Sequence, residues 1–158
     1  MKYYFIFFII YSNYTVFTYT MQKDIIDCIR ENKLKCLVEL IENGIDPNKN
    51  HGEPIKHKPL IFAAQEKNIE AIKLLLQNGA NINEQDDNGF TALIIASKDG
   101  SVDIVQLLLQ HQVDISIKNN HGCDAVFWAN KEIERLLILN KIRKKSNVYD
   151  IIKQKQIS

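Results

Sequence analysis

The chain of 158 residues lacks most of the patterns on which catalysis is built. It has no Gly-x-Ser-x-Gly for a strained nucleophile, no phosphate-cradling P-loop and no Gly-x-Gly-x-x-Gly, and Gly100 is a lone glycine. A catalytic centre needs a nucleophile, a base and an orienting group that converge, and nothing marks Cys28 or Cys123 as a thiol activated by a histidine. The cysteines are few and odd in number: Cys28, Cys36 and Cys123 stand at unrelated spacings, which argues against a disulfide framework and for reduced thiols in a cytosol-like compartment. His51, His57, His111, His121 and Cys123 match no structural zinc spacing. No catalysis, metal, cofactor or small-molecule substrate is therefore expected.

Long apolar runs are also missing. Tyr3–Tyr11 is apolar over nine residues after a single Lys2, whereas a bilayer span needs about 20. Residues 1–20 leave three readings open: a signal or membrane-associated leader, a stretch upstream of a translation start at Met21, or an ordered β-type element. Thr18-Tyr19-Thr20 is a poor cleavage site for a secretory signal. Membrane contact is expected only through this segment. An excess of one charge is absent too, the net being +1, but the charge is uneven. Residues 141–158 hold six basic side chains and one acid, a net of +5, and the other residues hold 14 basic and 18 acidic, a net of −4. Lys141–Lys145 (KIRKK) reads as a solvated cap that suits the negative end of a last helix, and nucleic-acid binding is not expected. Ser146 opens a plausible short helix to Ile152, with Val148, Ile151 and Ile152 on one face, that packs over the end of the chain's core, docks on a partner or membrane, or continues into a further array.

What the chain does have is an echo of itself. IEAIKLLLQNGANIN (Ile69–Asn83) returns 33 residues later as VDIVQLLLQHQVDIS (Val102–Ser116), and LIFAA (Leu60–Ala64) returns at the same interval as LIIAS (Leu93–Ser97). A third copy, Glu31–Asn48, matches Glu66–Asn83 at an offset of 35, its two additional residues falling between Asn48 and Leu60. A fourth begins at Asn120-His121-Gly122, 33 residues after Asp87-Asn88-Gly89, and then loses four residues, so that Ile133–Ile138 stands where Ile104–Leu109 stood. A fixed period of 20–50 residues signals stacked supersecondary units. Apolar residues at Ala71, Ile72, Leu74, Leu75 and Leu76 give a helix a face too wide for one neighbour to cover. No single copy buries such a face, and about three must stack.

The period, with D-x-G-x-T-x-L at Asp87–Leu93, the I-V-x-L-L-L run at Ile104–Leu109 and G-A-x-x-N at Gly79–Asn83, resembles the ankyrin repeat over about Met21 to Asn140. The resemblance implies an all-α solenoid of helix-turn-helix units with projecting β-turn or hairpin loops. It divides the chain into a leader (1–20), a capping repeat (21–50), two full repeats (51–83 and 84–116), a truncated repeat (117–140) and a basic helix or tail (141–158). There are departures. The Thr-Pro-Leu-His opening reads Lys58-Pro59-Leu60-Ile61 and Thr91-Ala92-Leu93-Ile94, the inter-helix glycine survives as Gly100 but is Asn68 in the second copy, and the helix-ending Gly44 and Gly79 become Gln112. Weaker coupling between repeats follows.

The resemblance also implies a function, a protein–protein interaction module that binds a partner protein as a monomer. Its surface is the concave lane of loop tips and first-helix ends. Carried over by position, that lane is Gln65, Glu66 and Gln85, then Asp87, Asn88, Phe90, Lys98, Asp99 and Lys118, then Asn120, His121, Cys123, Lys131 and Glu132, with Glu53, Ile55, Lys56 and His57 added by the long connector. Phe90 either anchors a partner or packs on the neighbouring loop, and Trp128, which takes the place of Ile95, is expected in core or end-cap packing. Mixed charge along the lane suits a polar protein segment. A cytoplasmic location, in the protein's own cell or a host's, fits the reduced thiols, and the alternative is a secreted or membrane-tethered adaptor that uses the leader.

Overall fold

In the computed structural model the described residues are 24–49, 51 and 57–157, those from 147 by backbone alone. The leader and Glu53, Ile55 and Lys56 of the connector lie outside them. Eight helices follow one another: α1 (Ile25–Arg30), α2 (Leu34–Glu42), α3 (Pro59–Gln65), α4 (Ile69–Gln77), α5 (Ala92–Lys98), α6 (Val102–Gln110), α7 (Ala125–Trp128) and α8 (Lys131–Ile157). Among the described residues there is no strand, only one isolated bridge between His51 and His57. The fold is the all-α stack that the repeat pattern implies.

Each unit is a helical hairpin whose ends are set by local chemistry. Inner helices start at Lys58, Thr91 and Asp124, one repeat apart. Lys58 makes no side-chain cap and is followed by Pro59, whose fixed φ suits the first turn. Thr91 Oγ1 accepts the N–H of Ile94, and an Asp124 carboxylate oxygen accepts those of Val126 and Phe127. The hairpin then turns through a left-handed residue, which is Asn32, Lys67 or Gly100 at φ 52°, 55° and 66°. The sequence reading put this turn at Asn68. That is corrected: Lys67 takes the left-handed conformation, and Asn68 instead caps α4 through the N–H of Ala71 and donates to the Asn32 side chain. Residue type alone pointed one position too far. The second left-handed position is Gly44, Gly79 and Gln112, so Gln112 adopts at φ 60° what glycine does upstream.

Inner helices α1, α3, α5 and α7 pack in order, and α2, α4, α6 and α8 back them. Alanines permit the close approach, with Ala63, Ala64, Ala71, Ala92 and Ala96 fully buried among Leu60, Ile72, Leu75, Leu93, Ile104 and Leu108. The closing asparagine of the repeat motif is an inter-repeat staple. Asn48 Oδ1 accepts the N–H of Asn81, and one repeat on, Asn83 Oδ1 accepts that of Asp114. The Asp114 carboxyl is held below its usual range by the Ser116 hydroxyl and N–H, and further by the Lys144 ammonium.

Two expectations fail here. Cys28 and Cys36 are joined as a disulfide, with Cα atoms 5.9 Å apart. Eight residues of separation look arbitrary in one dimension, yet the tight turn at Asn32 folds α1 against α2 and sets the two residues opposite each other. Cys28 is buried and Cys36 half-buried, so both also pack as core. Nor does a new helix begin at Ser146. α8 runs unbroken from Lys131 to Ile157, because Lys141–Lys145 are good helix formers with no glycine or proline to stop them. Lys144 fastens this helix by donating to the Val113 carbonyl oxygen at 3.1 Å. Ile133 and Leu137, which stand 29 residues after Ile104 and Leu108, are as buried as they are.

Candidate protein-binding surface

The loops between repeats fold into two matched fingers. In the first, Asp86 Oδ1 accepts the N–H groups of Asn88 and Phe90, and the backbone of Asp86 pairs with that of Phe90. In the second, Asn119 does the same for His121 and Cys123. A short aspartate or asparagine that captures backbone N–H groups two and four residues on is a local turn device. The fingers are bonded to each other. Asn120 donates from its backbone to the Asn88 carbonyl at 3.0 Å and from its side chain to the Asp87 carbonyl at 3.0 Å. Gln85 Nε2 donates to the carbonyls of Gly89 at 2.7 Å and Lys118 at 3.1 Å. At Gly89 a Cβ would meet the Asn120 backbone nitrogen at 2.8 Å, so only glycine lets the fingers approach this closely.

These bonds divide the expected lane residues. Gln85 and Asn120 are exposed but committed to holding fingers together, while Asp87, Asn88 and Lys118 contribute backbone to that pairing and present free side chains. Gln65 and Glu66 end α3, Lys98 and Asp99 end α5, and all four are exposed. His121 is exposed at the second finger's tip, and the Cys123 thiol donates to its carbonyl. Lys131 and Glu132 are not at a first-helix end. The four-residue deletion leaves α7 only Ala125–Trp128, so these two open α8 beside its cap, Asn130, whose Oδ1 accepts the N–H of Glu132.

One cluster joins a finger, an inner helix and the next repeat. The Lys98 ammonium lies over the Phe90 ring at 5.6 Å and over the Trp128 ring at 5.3 Å, distances at which a cation is drawn to an aromatic face. Phe90 and Trp128 are half-buried, and Phe127 meets Trp128 edge-on at 5.2 Å while remaining 67% exposed. The same positions are used two repeats earlier. Arg30 aligns with Lys98 and Phe62 with Trp128, and the Arg30 guanidinium lies 5.3 Å from the Phe62 ring. There His57, which stands one repeat before Phe90, packs on Phe62 at 5.0 Å. Arg30 is paired to Asp27, whereas none of the ion pairs among the described residues involves Lys98. Phe90 and Lys98 both fall on the lane expected from the sequence, but their link through Trp128, which was expected in core or end-cap packing, crosses repeats. The recurrence of a basic residue and an aromatic at matched positions was the available signal.

Among the described residues no three His, Cys, Asp or Glu side chains gather to hold a metal, and no helix is long and apolar enough to cross a membrane.

Comparison with known proteins agrees with this geometry. A family profile described as "Ankyrin repeats (3 copies)" matches residues 25–119 and, in a second register, 60–148. The crystal structure of the ankyrin repeat domain of Bcl-3, described as a unique member of the IkappaB protein family, is similar at 28% identity and a TM-score of 0.67 over 72% of this chain. This chain spans 50% of that one, about half its length. Ankyrin repeats are in general protein–protein interaction modules and typically non-catalytic scaffolds. The chain belongs to the ankyrin-repeat family.

Proposed function

We propose that the chain binds a partner protein along the concave lane, centred on Phe90, Lys98 and Trp128, and performs no catalysis itself. The observation that carries the reading is the placement of Lys98. Its ammonium is held between two aromatic rings, exposed and without an acidic partner among the described residues. A partner carboxylate would meet a cation already ordered, with a smaller entropic cost than for a free lysine. Phe90, Trp128 and the exposed Phe127 would supply the apolar contact around it. The lane's mixed charges, from Asp87 and Asp99 to Lys118 and His121, suit a polar protein segment. Affinity capture from the native cell with the wild-type chain and with Lys98→Glu tests this. The variant should melt as the wild type does and lose its partners. Recovery of the same partners by both places the surface elsewhere.

An exported adaptor is a second reading, favoured by the Cys28–Cys36 bond, because disulfides persist in oxidising compartments. Thiol labelling of the protein from its native cell decides it. Blocking of all three cysteines means a reduced chain and removes the reading.

A further inference from the structure

The four large hydrophobic side chains that stand exposed among the described residues all lie in the last repeat or in the helix that continues from it: Phe127, Ile138, Leu139 and Ile142, at 67%, 44%, 52% and 55%. Three of them sit where the repeat normally continues. Phe127 repeats Ile61 and Ile94, and Ile142 repeats Val113, all of them buried, while Ile138 repeats Leu109, half-buried. Leu139 breaks the pattern, since Gln77 and Gln110 hold that position upstream. An apolar residue has therefore been added to a face that no following repeat among the described residues covers.

The same helix carries basic residues between the apolar ones. Arg135, Lys141, Arg143 and Lys145 are exposed, and no ion pair among the described residues uses them. At about 100° per residue, Ile138, Leu139 and Ile142 share one side of α8, away from the buried Ile133 and Leu137. Two of the three acids of this helix, Glu132 and Glu134, lie in its first turn, and the third, Asp150, follows five residues after Lys145, so the run from Ile138 to Val148 holds basic residues and no acid.

We propose that this end of the stack, the outer face of α8 with Phe127, docks on an anionic lipid surface. Three features favour lipid over a protein mate. The face is the exposed side of a single helix, and at about 100° per residue its basic side chains flank the apolar strip, Lys141 and Lys145 on one edge and Arg143 on the other. Long Lys and Arg stems can lie along lipid while their charges reach headgroups. The charge asymmetry points the molecule the same way, because residues 141–158 carry +5 and the others −4, so an anionic surface attracts this end and repels the rest. A second copy would bring two clusters of like charge together.

Co-sedimentation of the full chain with vesicles of phosphatidylcholine and phosphatidylserine at three to one tests it, with pure phosphatidylcholine as control. Two variants of exposed residues accompany the wild type, Lys141→Glu/Arg143→Glu/Lys145→Glu and Leu139→Ser/Ile142→Ser, with circular dichroism to check folding. The wild type should bind anionic vesicles at least tenfold more tightly than neutral ones, with binding falling as salt rises, and each variant should lose at least tenfold. Equal binding of both vesicle types, or variants that bind as well as the wild type, would assign adsorption to another segment and overturn the proposal. No vesicle binding, with self-association that the Leu139→Ser/Ile142→Ser variant abolishes, would give the face to a second copy and overturn it equally.

Discussion

α5 and α7 occupy the same place in consecutive repeats and have different fates. α5 is seven residues long and buries Ala92 through Ser97, whereas α7 is four residues long, buries Ala125 and leaves Phe127 in solvent. The residues are not less apolar in α7. What differs is the neighbour: α5 has an inner helix on each side, α3 and α7, whereas α7 has α5 on one side and no following inner helix among the described residues. In a stack, a position is buried by the repeat that follows it, so stability is a sum of intrinsic and nearest-neighbour terms.

The sharpest way to break this comparison is to truncate matched side chains. Ile94→Ala should cost about 2–5 kcal/mol as a core truncation, whereas Phe127→Ala, at the aligned exposed position, should cost about 0.5 kcal/mol or less. Urea unfolding measures both, and equal losses would mean that something covers Phe127. The fingers give a second pair. Gly89 and Gly122 share positive φ, but a Cβ at Gly89 meets the Asn120 backbone and at Gly122 meets nothing within 4 Å. Gly122→Ala should therefore cost about 1 kcal/mol, the left-handed penalty alone, and Gly89→Ala clearly more, read as the difference in urea midpoint. At the other end of the stack, reducing Cys28–Cys36 reopens a short loop and should cost about 2 kcal/mol, seen as a lower thermal midpoint with reductant. Cys36→Ser should remove that sensitivity.

Most of the fold was legible in the sequence, because repeated burial leaves a repeated apolar pattern. Ile72, Leu75, Ile104 and Leu108 could be matched by eye and are all buried. What escaped was set by geometry rather than by residue type. The left-handed turn falls on Lys67, a residue no composition rule would choose, with Asn68 beside it as a more plausible decoy. The Cys28–Cys36 pairing depends on that same turn in the first repeat. For the candidate surface, counting by 33 carried Gln65, Glu66, Lys98 and Asp99 to helix ends correctly but put Lys131 and Glu132 there too, because the deletion within α7 shifts the register by a turn. The Lys98–Trp128 contact joins different positions of adjacent repeats, so the sequence signalled it only through the recurrence of Arg30 and Phe62 at the matched positions.

Amide hydrogen exchange of the chain with and without its captured partner tests the central claim most directly. Binding along the concave lane predicts slowed exchange in the finger of residues 86–90, at the end of α5 and in residues 119–128, with little change in α4 and α6. Protection confined to α4 and α6, with the fingers unchanged, would contradict it.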